Sequence, residues 1–240
     1  MENSQVEPTP IRLSLWDLFV WTTLAALACT LWTIHNAAAG SFQVNAQQVI
    51  FFLTAAFAFA TTGSALFLFA RRWYRGMPTD FQPGHWLLCL TGTIMIYHGL
   101  AILGRSTIMR IAMITSRSYT DVYLNIGQDV GFLLVCLLTG FLLPVRPTWR
   151  WVMLMPCLMS LTWIAVWSMV IGLDYYAFWY VVRIEIVLVV LGLFILLSIA
   201  VWDQATTRDR RDWLHWLGVA TLVILNSPPI LIRVYEALFR

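Results

Sequence analysis

Eight ionisable or strongly polar side chains interrupt stretches of the chain that are otherwise apolar, and their types could carry chemistry. They are His98, Arg105, Asp129, Arg183, Glu185, Asn226, Arg233 and Glu236. An ionisable group at the centre of a bilayer costs roughly 2.5–3.5 kcal/mol on insertion scales, so it persists where it pairs or lines a cavity. The pattern predicts a polar cluster shared by several helices. It would form either a binding pocket or a set of ion pairs that holds the helices together.

The spacing of these charges limits how they can pair. Side chains two positions apart on a helix point about 200° apart, so Arg183 and Glu185 cannot pair with each other. We expect Arg183 to pair with Asp129. We expect Glu185 to pair with Arg105 or Arg233, although Arg233 can also pair along its own helix with the acidic residue three positions on. In the topology derived below, nearly all of these groups lie in the outer half of the bilayer.

The histidines allow a different chemistry, which is axial ligation of haem iron. His85 and His98 lie 13 positions apart in one apolar segment, which is about 20 Å along a helix axis. His215 is predicted at the level of His85, and His35 at the level of His98. Two bis-histidine haems b, one in each leaflet, are therefore an alternative interpretation. The simpler interpretation places His85 and His215 at the interface beside tryptophans, where an amphipathic ring needs no cofactor.

Motifs of catalysis and metal binding are absent from the sequence. It contains no G-x-S-x-G, H-E-x-x-H, G-x-x-x-x-G-K-[ST] or G-x-G-x-x-G pattern. The four cysteines lie separately in apolar runs, with no C-x-x-C pair or Cys/His spacing typical of zinc. The chain has no lysine, which excludes the Schiff base of a retinal protein. We expect no enzyme activity, no metal site and, outside the haem alternative, no cofactor.

The amino-acid composition indicates whether the helices that carry these residues are surrounded by water or by lipid. Of 240 residues, 60% are hydrophobic and 11% are charged, with a mean hydropathy of +0.76. A soluble domain carries about 25% charged residues, and a chain of this length cannot hide so much apolar surface in a core. The sequence therefore predicts an all-α integral membrane protein whose first partner is the lipid bilayer.

Seven apolar stretches are long enough to cross a membrane, since a crossing helix needs about 20 residues. The predicted spans are 15–37, 48–70, 85–104, 126–145, 151–173, 177–202 and 213–235. They leave no room for a soluble domain, so we expect one transmembrane domain, a seven-helix bundle over 1–240. The segment 105–125 is either an interfacial helix or an extension of the third helix followed by a loop.

Arginine placement orients this bundle. Nine arginines flank one side of the predicted spans and five flank the other, and cytoplasmic loops are the ones enriched in basic residues. The N-terminus is therefore predicted inside and the C-terminus outside. The net charge of +3 comes from these flanking arginines, so no nucleic-acid partner is expected.

Two local patterns bear on this topology. Ala37-Ala38-Ala39 resembles a signal-peptide cleavage site, but the preceding apolar run is long and Glu2 and Glu7 oppose a positive leader, which favours a retained anchor. Asn226-Ser227-Pro228-Pro229 predicts a kink in the seventh helix, because prolines remove backbone donors. Broken helices hold solutes in some transporters and are purely structural in other proteins.

Two short segments carry a resemblance to other proteins. Leu13-Ser14-Leu15-Trp16-Asp17-Leu18 and Phe81-Gln82-Pro83-Gly84-His85-Trp86-Leu87 resemble segments of uncharacterised bacterial multi-pass membrane proteins. The resemblance implies a bacterial inner membrane and no known activity. The sequence as a whole predicts a membrane-embedded binding or sensing module, or a subunit of a larger assembly with other membrane proteins. The alternatives are a haem-binding electron-transfer protein and a small-solute transporter.

Overall fold

The computed structural model describes residues 13–38, 46–77, 81–115, 120–142, 144–171, 176–206 and 211–239. These residues form eight α-helices and no strand. The helices are α1 (Leu15–Ala38), α2 (Ala46–Tyr74), α3 (Pro83–Thr115), α4 (Thr120–Leu142), α5 (Pro147–Ile171), α6 (Tyr176–Thr206), α7 (Trp213–Asn226) and α8 (Pro228–Phe239). The predicted all-α class is confirmed.

Five of the described helices are long and apolar enough to cross a bilayer: α1, α2, α4, α5 and α6. The bent pair of α7 and α8 makes a sixth span if it is counted as one. Large apolar side chains on these helices point outward, as Phe194 does with 69% exposure, and in a membrane such side chains contact lipid tails. The chain is thus a multi-pass membrane protein, whereas the count of seven spans stays a prediction.

Proline accounts for the start of α5 and for the break after α7, and the third helix is longer than predicted. Helix α5 begins at Pro147 rather than at 151, because proline is well suited to the first position of a helix. The third helix continues to Thr115, as its predicted extension required, but α4 begins at Thr120 rather than at 126, so the described end of segment 105–125 is helical and not a loop. The kink predicted in the seventh helix is confirmed as a break at Ser227, between α7 and α8.

The helices group into two compact units. The first unit comprises 1–92 and 209–225, so its described part contains α1, α2, the start of α3 and α7. Its core is a cluster of buried side chains from α2, α3 and α7: Ala65, Leu68, Phe69, Leu88 and Leu214. Helix α1 joins α2 through aromatic contacts and through the Trp21 indole, which donates to Thr61 Oγ1 at 3.2 Å.

The second unit comprises 93–208 and 226–240, and its described part is built mainly on α4, α5 and α6. Arg146, just before α5, pairs with the buried Asp203 near the end of α6, with Nη1 and Oδ1 3.0 Å apart. Cys136 on α4 and Cys157 on α5 are buried and face each other. The single domain predicted over 1–240 is not tested by this division.

Candidate functional site

A capping box fixes the first functional carboxylate at the start of α1. The Ser14 backbone N–H and its hydroxyl donate to Asp17 Oδ2 at 2.8 and 2.7 Å, and the Asp17 N–H donates to Ser14 Oγ at 3.3 Å. This exchange satisfies backbone donors that a helix start leaves free. It also holds Asp17 in one position, where the residue is only 4% exposed.

The other oxygen of Asp17 faces an arginine at the end of α2. Arg71 Nη1 lies 3.5 Å from Asp17 Oδ1, longer than the ~2.7–2.9 Å of a charge-assisted hydrogen bond. Within the described part of the chain, neither Asp17 Oδ1 nor Arg71 Nε has a hydrogen-bond partner, although both atoms are buried. The two charges are therefore close enough to compensate each other, while each retains an unused hydrogen-bonding atom.

A groove of about 640 Å³ opens beside this pair. Its walls come from α1, α2 and α7 and from the residues just before α1, and they are mostly apolar, including Leu18, Trp21, Phe57, Leu68, Leu214 and Leu217. The polar exceptions are Ser14, Asp17, Thr61 and Ser64. Ligand pockets usually enclose roughly 300–1,000 Å³ and have mainly apolar walls with a few polar groups, so this groove has the size and lining of a binding site.

A second polar network joins the starts of α3 and α7. The Gln82 N–H donates to His85 Nδ1 at 3.2 Å, and His85 Nε2 lies 2.9 Å from Asp212 Oδ1. Because Nδ1 accepts, the neutral ring carries its proton on Nε2 and donates it to the carboxylate. Asp212 Oδ1 also accepts the His215 N–H at 2.8 Å, and the Asp212 N–H donates to Gln82 Oε1 at 3.1 Å.

His215 extends this network to the backbone of α3. Its Nδ1 accepts the Gly84 N–H at 2.9 Å, one of the donors that a helix start leaves without a backbone partner. Both His85 and His215 are fully buried. Asp212 caps the start of α7 by accepting from the N–H three positions on. The same carboxylate therefore caps one helix and binds a side chain of another.

The ionisation of Asp212 depends on these partners. Burial alone would raise the pKa of its carboxyl group. Hydrogen bonds from the His85 ring and the His215 N–H, together with electrostatic attraction to the two histidines, outweigh burial and hold the pKa below its ordinary value. The ionised carboxylate is therefore the form that stabilises the folded unit.

Two glycines allow the backbones of α3 and α7 to touch. A Cβ atom placed on Gly84 would overlap the His215 carbonyl oxygen, and one placed on Gly218 would overlap the Gly84 carbonyl oxygen. Small residues allow such close approach between membrane helices. The junction of α3 and α7 thus combines backbone contact with the network around Asp212.

The structure places the residues of the predicted polar cluster in the second unit. Asp129 faces the indole of Trp167, and Glu185 faces that of Trp163. The two indoles stack, with ring centroids 6.0 Å apart. His98 packs its ring against Phe132, and its Nδ1 lies 3.1 Å from the Ile94 carbonyl oxygen. Asn226 and Arg233 also belong to this unit.

Several of the predicted ion pairs involve side chains outside the described ones: Arg105, Arg183 and Glu236. The pairing of Arg183 with Asp129, and that of Glu185 with Arg105, stay predictions. Among the described side chains, the buried carboxylates and guanidinium groups lie near helix ends. They are Asp17 at the start of α1, Arg72 at the end of α2 and Asp203 near the end of α6.

In the first unit the sequence predicts only His35, His85 and His215 as site residues, and only as haem ligands; it does not predict Asp17, Arg71 or Asp212. Ser14 and Asp17 have the spacing of a capping box, and Asp212 precedes an apolar helix as an N-cap residue does. These signals were available in the sequence. What it could not show is that the two short segments 13–18 and 81–87 would fold into the same unit.

The haem alternative meets a restriction in this geometry. Both ring nitrogens of His85 are engaged by Gln82 and Asp212, so iron ligation requires breaking that network. The His35 side chain lies outside the described ones. Among the described residues there is no cluster of three or more His, Cys, Asp or Glu side chains that could hold a metal ion.

Comparisons with known proteins do not assign this chain to a family. No family model, no curated protein and no solved structure matches it.

We expect Gly218→Ala to destabilise the first unit, because the added methyl group must push α7 away from the Gly84 carbonyl. Overpacking of this kind typically costs about 1–3 kcal/mol. Thermal unfolding of the purified protein in detergent measures the effect. Gly99→Ala is the matched control, since a Cβ on Gly99 meets no atom within 4 Å. Equal melting temperatures for the two variants would contradict the contact.

A lowered pKa at Asp212 predicts a defined pH dependence. The stabilisation is complete above the ordinary range of an aspartate, about pH 4, and is lost as the pH falls through the folded-state pKa. We expect the melting temperature of the wild type to drop on acidification below that range. Asp212→Asn should lose about 1–3 kcal/mol of stability at neutral pH, and so melt at a lower temperature. It should also lose part of the drop in melting temperature on acidification. If the melting temperature of the variant falls with acidification as much as that of the wild type, another group causes the fall.

Proposed function

We propose that this protein is a membrane-embedded binding module without catalytic activity, and that the groove of its first unit holds a lipid molecule taken from the bilayer. The observation that carries the proposal is the apolar groove of about 640 Å³ whose lining includes the buried Asp17, which is paired with the partly exposed Arg71. Hydrocarbon walls with a charged end match a molecule that has tails and a polar head.

The depth of the groove supports this occupant. On α2, its lining extends from Phe57 to Leu68, which is about 16 Å along the axis and close to half of the ~30 Å hydrocarbon core. The polar end lies next to Trp16 and Trp73, which are exposed, as tryptophans at a membrane interface are. The groove thus has the length of one leaflet.

Contacts within the first unit favour seven crossings. The starts of α3 and α7 meet at His85 and Asp212, so an even number of crossings must separate them. Helices α4, α5 and α6 supply three, and α3 must supply the fourth. The bent pair α7 and α8 is then the seventh span, and the two termini lie on opposite sides.

The same helix ends carry the arginine excess. Arg71 and Arg72 lie in the last turn of α2 and Arg75 follows it, and the positive-inside rule assigns such ends to the cytoplasm. We therefore infer that the groove opens in the cytoplasmic leaflet of an inner or plasma membrane, with the N-terminus inside. The suggested bacterial source rests on the resemblance of two short segments.

Helix α7 gives the module a way to report binding. Trp213, Leu214 and Leu217 line the groove, while His215 and the neighbouring Asp212 attach the helix to α3. A ligand that changes how α7 packs would therefore strain the junction with α3. In this proposal, sensing passes to partner proteins in the membrane, or the chain acts as a subunit whose groove lipid stabilises it.

Transport of a small solute is a second candidate, and the break at Ser227 favours it. Unwound backbone in a membrane helix can coordinate a solute, and Asn226 and Ser227 stand at the break. Proline kinks also occur in purely structural helices. The groove is the stronger feature, because it provides both a volume and matching polar groups.

Seven crossings predict an external C-terminus. A C-terminal alkaline phosphatase fusion in a bacterial host should be active, because that enzyme folds outside the cytoplasm, and a C-terminal fluorescent-protein fusion should be dark. A fusion of the phosphatase after Gly76, between α2 and α3, serves as the cytoplasmic control. A fluorescent C-terminal fusion would overturn the seven-span topology.

Filling the groove should remove the bound lipid. We expect Ser64→Phe to lower cross-linking by a phospholipid that carries a photoreactive diazirine in one acyl chain about tenfold, because the ring occupies the space of the chain. The measurement uses the full-length protein in proteoliposomes, with cross-linked peptides mapped by mass spectrometry. Ser168→Phe is the control, since Ser168 is exposed on α5 and outside the groove. Equal labelling of α1 and α2 in both variants would exclude groove binding.

A further inference from the structure

We propose that the lipid held by the groove is a phospholipid with a primary ammonium head, of the ethanolamine class, and that Asp17 accepts hydrogen bonds from its N–H groups. This inference rests on the proposed function and specifies its ligand. Two polar groups of the groove lining support it, an acceptor at Asp17 and a hydroxyl at Ser64. A donor at Arg71, which lies beside Asp17, also supports it.

Asp17 supplies the acceptor. One of its oxygens, Oδ2, is used by Ser14, and Oδ1 has no hydrogen bond although it is buried and belongs to a residue that lines the groove. Leaving a buried charged acceptor without a hydrogen bond is costly. An ammonium group at this end of the groove would donate to Oδ1 the hydrogen bond that Arg71, 3.5 Å away, does not supply.

Arg71 supplies the complementary donor. Its Nη1 is 3.5 Å from Asp17 Oδ1, while its Nε–H is buried and makes no hydrogen bond within the described residues. Guanidinium groups match the geometry of phosphate oxygens. The carboxylate and guanidinium together carry no net charge, and a zwitterionic head, with an ammonium beside a phosphate, is the complement of such a pair.

Ser64 lies deeper and matches the next part of a phospholipid. It is seven positions before Arg71 on α2, which is about 10 Å along the axis. Its hydroxyl is buried and makes no hydrogen bond within the described part of the chain. The neighbouring Thr62 instead donates to the Ala58 carbonyl at 2.7 Å. The Ser64 hydroxyl is thus left to donate to an ester carbonyl, below which the tails meet the apolar walls.

The arrangement distinguishes between head groups. A choline head carries the same charges as an ethanolamine head but has no N–H, so it cannot donate to Asp17 Oδ1. A phosphatidylglycerol head has hydroxyl donors but no cation to place beside the carboxylate. Of the ethanolamine, choline and glycerol heads, only ethanolamine therefore brings both N–H donors and a positive charge to Asp17.

The test is a head-group series on the full-length protein in nanodiscs. Dioleoyl phosphatidylethanolamine, its N-methyl and N,N-dimethyl forms, phosphatidylcholine and phosphatidylglycerol each compete with a diazirine phospholipid. We expect affinity to fall along the methylation series, by about tenfold from ethanolamine to choline, and phosphatidylglycerol to compete less well than ethanolamine. Equal competition by the ethanolamine and choline lipids, or strongest competition by phosphatidylglycerol, would overturn the inference.

Variants assign the preference to its residues. Asp17→Asn should make the ethanolamine and choline lipids compete equally, whereas Arg71→Gln should weaken the whole series and leave its order unchanged. Asp203→Asn is the matched control, because it alters a buried, arginine-paired carboxylate outside the groove, and it should keep the ethanolamine preference. Survival of that preference in Asp17→Asn would refute the assignment, and the wild-type series decides the ligand class even if that variant does not fold.

The two proposals fail in different ways. If Ser64→Phe leaves cross-linking to α1 and α2 unchanged, no lipid occupies the groove and the proposed function is wrong. If Ser64→Phe abolishes labelling but the head-group series is flat, the groove binds lipid through its tails alone. Only the ethanolamine assignment is then lost.

Discussion

The hydrogen bonds accepted by Asp212 are the constraint on which the first unit depends. This carboxylate accepts from the His85 ring on α3 and from the backbone that starts α7, so two helices far apart in the chain share one anion. Near a membrane interface, helix ends and buried polar side chains need partners inside the protein. The Asp212 network supplies them, and Gly84 and Gly218 let the backbones come close enough for it to form.

The groove follows from that junction. With α7 fixed against α3, its other face contributes Leu214 and Leu217 to a cavity that α1 and α2 complete. The capping box of α1 then places Asp17 at the polar end of the cavity, opposite Arg71. The binding that we propose for this unit is thus a consequence of how helix ends are capped. In that proposal, the same charges that start and end the helices are the groups that recognise the ligand.

The sequence predicted the helices well and the site poorly. Apolar stretches, proline positions and the Ser227 break were readable, because each depends on a few neighbouring residues and on the thickness of the bilayer. Polar groups in the middle of apolar spans, such as Asp129 and Glu185, are visible in the sequence. Asp17 and Asp212 are not distinguished there, because a carboxylate at a helix start is ordinary in a membrane protein and only its burial makes it unusual.

The amino-acid sequence by itself determined that this protein is helical and spans a membrane, since composition and segment length decide both. Its arginines also predict an orientation. Only the tertiary structure decided that α7 packs on α3, that Asp17 is buried beside Arg71, and that a lipid-sized groove lies between α1, α2 and α7. These features depend on contacts between residues as much as 131 positions apart, and helix pairing over such separations leaves no periodic pattern in the sequence.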